Sequence, residues 1–218
     1  MNISLEQYLL LIGYSGHAYV VAEVAQKQGW SLAGYCDKQE KEFNPFGLAY
    51  FQEETSLEAL ALLETADYFV AIGDNRIRQI VASNLCQKTG KNAAILIHPS
   101  AKIGFQVFIK SGTLICPGVI INPLAQIGAG AICNSGCIIE HECIIGDYAH
   151  IAPGAVLAGN VKVGNGTFIG ANTVVKQGIE IGQNAVIGAG SVIIKPVPDN
   201  AVVAGNPGRQ IKNNTPTQ

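Results

Sequence analysis

Residues 138–150 read IIEHECIIGDYAH. In this otherwise apolar, small-residue setting stand His141 and His150, with Glu140, Glu142 and Asp147. An imidazole, with an ordinary pKa near ~6.5, exchanges a proton at cellular pH. A carboxylate beside it fixes its tautomer and makes it more basic. The adjacent pair His141–Glu142 therefore has the composition of a proton-transfer site, while Glu140 and Asp147 read as solvated or structural carboxylates. Cys137 and Cys143 are close in sequence. No C-x-x-C pair occurs among the six cysteines, so neither a metal site nor a disulfide framework is expected.

A repeat of six residues positions these groups. From Ile97 to Ile193, every sixth residue is a branched aliphatic except Cys133. Four residues on, a second column is nearly all small, including Ala125, Ala131, Cys137, Cys143 and Ala149. Between them, the fourth position is Gly at 112, 118, 130, 136, 154, 166, 178 and 190, and Asn at 160, 172 and 184. A helix needs a period near 3.6 and an ordinary strand a period of two. Six fits a parallel β-helix with short flat sides, in which Gly or Asn turns the corner in a left-handed conformation. In this frame His141 lies at the third position of its row and points outward, and Glu142 occupies a corner. His150 takes the sixth position of the next row and is also expected on the prism surface. Cys137 and Cys143 face inward. The sixth position also supplies Ile120, Ile132, Ile138, Ile144 and Val156, a large exposed apolar surface for a monomer.

Residues 1–96 have a different texture. YLLLIG, WSLAGYCD, ADYFVAIGDN and NAAILIHP read as strands. The helices between them begin at Gly16, at SLEALALLE and at RIRQIVASNLCQKTG. Strands alternating with helices imply a small parallel α/β sheet. The turn Gly13-Tyr14-Ser15-Gly16-His17 joins the first strand to the first helix, Asp37 follows the second strand, and Gly73-Asp74-Asn75 follows the third. Amides at a helix N-terminus suit a pyrophosphate, and an acid after the second strand suits a ribose hydroxyl. Tight packing turns account for the same residues equally well, and the glycine spacing is not that of a dinucleotide-dependent oxidoreductase.

The chain of 218 residues carries a net charge of −2, with 14% charged and 48% hydrophobic residues. This balance supports a folded core and offers no broad attraction to nucleic acid or anionic membrane. No apolar run approaches the ~20 residues of a spanning helix. The opening MNISLEQYLLLIG lacks a basic n-region and is read as leading into a strand, not as a signal peptide.

The α/β region with G-x-x-G-H-A and AIGDN-x-x-R, the hexads containing EHE, and a His nine residues after His141 together resemble the PglD/NeuD-type sugar acetyltransferases. These belong to the hexapeptide-repeat acyltransferase family. The resemblance spans nearly the whole chain and implies a Rossmann-like nucleotide-sugar-binding domain over 1–96. A left-handed β-helix with a C-terminal cap follows over 97–211, with a disordered tail over 212–218. It implies a cytoplasmic, bacterial homotrimer with active sites at subunit interfaces and no metal. The implied reaction is direct acetyl transfer from acetyl-CoA to the 4-amino group of a nucleotide-linked, UDP for preference, 4-amino-4,6-dideoxy sugar, as in bacillosamine-type glycan synthesis. O-acetylation of sialic acid or a related sugar is the alternative reaction, and an inactive trimeric scaffold the alternative without catalysis.

By the same resemblance His141 is the general base and Glu142 tunes it. His150, Ala171 and Ala189 contact acetyl-CoA. Tyr14, Ser15, Gly16, Asp37, Lys38 and Asp74 line the nucleotide-sugar pocket. Ser15 stands where the family often has glycine. His17 is either part of the pocket or a packing residue of the turn, and Arg209 is either a CoA-phosphate contact or a solvated residue of the cap.

Overall fold

The computed structural model describes residues 7–214 and divides into two compact units, Met1–Pro99 and Ser100–Gln218. Residues 1–6, where the opening segment starts, and 215–218, the end of the expected disordered tail, lie outside the described residues. No helix among the described residues is long and apolar enough to cross a membrane.

The first unit runs β1 (Tyr8–Ile12), α1 (Gly16–Gln28), β2 (Ser31–Cys36), α2 (Leu57–Leu62), β3 (Asp67–Val70) and α3 (Asn75–Thr89). The strands form a parallel sheet in the order β2-β1-β3. Leu9, Leu10, Leu11 and Ile12 are all buried, as a central parallel strand covered on both faces requires. Leu10, Ile12, Cys36, Tyr68 and Val70 from the sheet pack with Ala59, Leu63 and Leu85 from the helical segments. Helices α1 and α3 stop at Gly29 (φ 103°) and Gly90 (φ 68°), left-handed C-terminal caps. The fourth expected strand is largely absent. NAAILIHP contributes only Leu96–Ile97, and it meets β3 through Ala94 N–H donating to Tyr68 O at 2.9 Å. The preceding Lys91 is drawn off to cap α2, its ammonium donating to the carbonyls of Leu63, Glu64 and Ala66.

The second unit is a left-handed parallel β-helix. Two-residue strands recur every six residues from Lys102–Ile103 to Val192–Ile193, and each as far as Val174–Val175 pairs with the strand 18 residues on. Thus Ile139 lies between Ile121 and Leu157, and Ile145 between Ile127 and Val163. The inward aliphatic column is buried from Ile115 to Ile193, and only the first coil leaves Ile103 exposed. Every fourth-position residue from 106 to 190 has positive φ, including the non-glycines Gln106, Leu124, Glu142 and Tyr148. Along one edge Asp147 Oδ1 accepts from Ala129 N–H, Asn165 Oδ1 from Asp147 N–H, and Asp199 Oδ1 from Gln183 N–H, at 2.8–2.9 Å. Asp147 is therefore a structural rung of this ladder, with Lys110 Nζ 3.4 Å away.

Three expectations need correction. Ile132, in the ladder between Leu114 and His150, is 1% exposed and so adds nothing to an outer apolar surface. His150 is also buried rather than on the surface, enclosed in the same ladder between Ile132 and Phe168. At the C-terminus, Lys212 and Asn213 belong to the strand Arg209–Asn213, which pairs antiparallel with Ala201–Ala204, so order extends into the segment expected to be disordered. The outer row Ile120, Ile138, Val156, Val174 and Val192 forms one continuous apolar face, on which Ile120 is 36% and Val174 43% exposed.

Candidate active site

His141 and Glu142 occupy the corner between the strands Ile138–Ile139 and Ile144–Ile145. Inward Ile139, Cys143 and Ile145 anchor this corner in the core. Glu142 has φ 63°, a left-handed conformation that costs a non-glycine residue about 1–2 kcal/mol. From there its Oε2 lies 3.0 Å from His141 Nδ1. A carboxylate only accepts, so Nδ1 carries the proton and Nε2 is the acceptor nitrogen of the neutral ring. Both side chains are about half exposed, so their pairing adds little to stability.

The coil above supplies a feature that sequence reading overlooked. Gly159, buried, lies 18 residues after His141, and a Cβ placed on it would stand 2.5 Å from both Cε1 and Nε2 of the imidazole. The missing side chain leaves room for the ring and keeps its basic nitrogen uncovered. The hexad itself carries the signal, since Gly159 is the third-position residue one coil beyond His141.

His150 lies apart from this corner, in the strand His150–Ile151. Its ring meets Phe168 edge-on at 5.1 Å. Its Nε2 is 3.1 Å from Asn134 Nδ2, and Asn134 Oδ1 accepts from Ser135 N–H, which fixes the amide orientation. Nε2 is then the acceptor and the neutral ring carries its proton on Nδ1. Asn134 is a second residue that sequence reading passed over. Ala171 and Ala189 follow Pro153 along a different edge, where Ala171 O accepts from Gly190 N–H at 2.8 Å. The apolar face of Ile138, Val156 and Val174 separates that edge from the corner of His141. A single prism therefore does not bring His141 together with Ala171 and Ala189. The thiols take no part in proton chemistry: burial raises Cys143 to about 11 and Cys116 to about 12, keeping both protonated. No grouping of His, Cys, Asp and Glu among the described residues could hold a metal ion.

In the first unit, the parallel sheet delivers its three turns to one edge. Ser15 and Gly16 are exposed at the start of α1, and the Ser15 side chain makes no capping bond. Tyr14 is buried, stacked on Tyr35 at 4.2 Å, with its hydroxyl donating to Asn44 Oδ1. What Tyr14 gives the turn is its N–H, which donates to Asp37 Oδ2 at 3.0 Å and ties the first turn to the second. Asp37 Oδ1 accepts from Lys38 N–H and pairs with Lys41 Nζ at 3.0 Å, while the Lys38 side chain is exposed. Asp74 caps α3 through Ile77 N–H. Arg78, 1% exposed, knits the third turn by donating to Ile72 O, Gly73 O and Asn75 Oδ1. His17 packs beside Gly73, and burial, with the nearby Arg78 charge, pushes its pKa down to about 4. Arg209 is exposed on the closing strand.

Residues 8–85 match the model of the PglD N-terminal domain, and residues 160–195 match the bacterial transferase hexapeptide (six repeats). A perosamine N-acetyltransferase from Caulobacter crescentus, solved in complex with CoA and GDP-perosamine, is 32% identical. The match covers 94% of this chain and 97% of that one, with a TM-score of 0.87. The acetyltransferase domain of PglB from Neisseria gonorrhoeae FA1090 is 30% identical over 94% of this chain and 100% of that one, with a TM-score of 0.86. WeeI from Acinetobacter baumannii AYE is 25% identical over 94% and 100%, with a TM-score of 0.83. A search of curated proteins returned no match.

Three outcomes follow from this geometry. Glu142→Gly is expected to relieve the corner and raise stability by about 1 kcal/mol in denaturant unfolding, while lowering turnover because the tautomer is no longer held. Gly159→Ala is expected to lower turnover about 10–100-fold with the fold retained, since the displaced imidazole loses its alignment. For His17, the folded pKa of about 4 lies below the ordinary 6.5. The unfolded chain therefore binds the extra proton between those values, and stability falls as pH drops from 6.5 towards 4, by about 3 kcal/mol at the limit. Unfolding of the wild type and His17→Gln across that pH window measures this loss, which the variant is expected to lack.

Proposed function

The chain belongs to the PglD-type sugar acetyltransferases of the hexapeptide-repeat family, and on that premise we propose that it N-acetylates the 4-amino group of a nucleoside-diphosphate-linked 4-amino-4,6-dideoxy sugar. Acetyl-CoA is the donor, and the reaction belongs to the cytoplasm. The observation that carries this reading is the His141–Glu142 pair with its acceptor Nε2, on a β-helix preceded by an α/β unit with clustered strand-end turns. The 4-amino nitrogen attacks the thioester carbonyl carbon, and the C–N bond forms as the C–S bond breaks. The amine proton passes to His141 Nε2 and on to the leaving thiolate, giving the amide and CoA thiol. Glu142 holds Nδ1–H throughout and steadies the charged imidazolium. Such a base is worth ~10²–10⁴-fold in rate.

In the first unit, the exposed amides of Ser15 and Gly16 receive the diphosphate, with Asp37, Lys38 and the turn at Asp74 around the ribose and sugar. In the prism, the edge of Ala171 and Ala189, with His150, receives the pantetheine arm. Because that edge and the His141 corner are separated by an apolar face within one chain, we assign the assembled site to a homotrimer in which neighbouring copies contribute the two edges.

The test is thiol release from acetyl-CoA with UDP-, GDP- and dTDP-linked 4-amino sugars, for wild type and His141→Ala. UDP is the nucleoside diphosphate that the family resemblance implies, and GDP is the one on the sugar bound by the similar Caulobacter enzyme. Turnover on an amino sugar, lowered ~10²–10⁴-fold in the variant, is expected. Activity confined to a hydroxyl acceptor such as sialic acid would replace N- by O-acetylation. Inactivity of a folded oligomer on every acceptor would leave the scaffold reading.

A further inference from the structure

The segment between β2 and α2 contains a loop, residues 38–50, held in place by side-chain hydrogen bonds. Asn44 is its hub: Oδ1 accepts from Tyr14 O–H and Leu48 N–H, and Nδ2 donates to Leu48 O. Lys41 N–H donates to Tyr35 O–H, Phe46 N–H to Tyr14 O–H, and Tyr50 O–H to Asp37 O. Beneath the loop, aromatic rings pack one on another, from Tyr50 and Tyr35 through Tyr14 to Tyr19. Phe43 ends this series, its ring edge-on to Tyr19 at 5.9 Å. Tyr14 and Tyr35 are fully buried, whereas Phe43 is 70% exposed.

An exposed phenylalanine on a mobile loop would need no explanation. This one sits on a fastened loop that presents the ring instead of burying it. Its carbonyl accepts from the hydroxyl of Tyr19, in the first turn of α1 (3.4 Å), and Lys41, two residues before it, pairs with Asp37. Phe43 is thus tied to α1 through Tyr19 and lies two residues from the Lys41 that pairs with the acid at the end of β2. If the diphosphate lies on the α1 N-terminus and the ribose by that acid, the next group outward is a planar base.

We propose that Phe43 is the stacking platform for the nucleobase of the sugar donor's nucleoside diphosphate. This rests on the reading of the first unit as a nucleotide-sugar site. Every base has a π face, and a base stacked on one aromatic side chain gains roughly 1–3 kcal/mol, about a 5- to 150-fold effect on affinity.

The experiment titrates the full chain with UDP, GDP and, as the base-free probe, inorganic pyrophosphate, by calorimetry, for wild type, Phe43→Ala and Phe43→Trp. Phe43→Ala is expected to weaken UDP and GDP at least about fivefold, to leave pyrophosphate unaffected and to raise KM for the nucleotide sugar but not for acetyl-CoA. Phe43→Trp is expected to restore nucleotide affinity. Equal UDP and GDP affinities for wild type and Phe43→Ala would overturn the platform while leaving the nucleotide-sugar reading intact. Parallel losses for pyrophosphate and nucleotides would overturn it in favour of a purely structural loop. Failure of the wild type to bind either nucleotide would overturn the reading on which the platform rests.

Discussion

The second unit depends on a backbone corner repeated every six residues. Each fourth-position residue from 106 to 190 takes a left-handed conformation, which bends the chain sharply enough for two-residue strands to close into flat-sided coils. Gly and Asn meet that demand at little cost. Glu142 meets it at a corner where the carboxylate is thereby swung onto the preceding imidazole. The same constraint that builds the prism thus also brings the Glu142 carboxylate to the His141 imidazole.

Two contacts define the state of the His141 ring. Glu142 assigns the proton of His141 to Nδ1, and the absence of a Cβ on Gly159 leaves Nε2 uncovered. His150 is governed by the opposite logic. A neutral amide oriented by Ser135 makes its Nε2 an acceptor, and burial beside Phe168 leaves the ring in place as a wall. Two histidines nine residues apart thus carry the same Nδ1–H tautomer, fixed from opposite ring nitrogens, at different exposures. The buried thiol of Cys143 between them stays protonated.

In the first unit, the parallel sheet brings three turns to one edge, and specific bonds then lock them together. Tyr14 N–H to Asp37 joins the first two, and the Arg78 guanidinium holds the carbonyls of the third. A buried arginine satisfied by backbone carbonyls is a rigid brace, since its planar donors cannot rearrange without losing several bonds at once.

Much of this was legible in the chain. The hexad columns determine the β-helix, the inward placement of Ile139, Cys143 and Ile145, and the outward placement of His141, because side-chain direction follows from period alone. The alternation of apolar strands with helices determines the parallel sheet and the order of its turns. Tertiary structure decided what covers each residue. The hexad places Ile132 and His150 at outward positions, yet both are buried in a ladder whose rungs lie 18 residues apart. It likewise decided that Tyr14 serves through its backbone, that Arg78 braces a turn, and that Gly159 makes room for His141. These are contacts between coils or between turns, and a linear pattern records a residue's direction but not its neighbour across the fold.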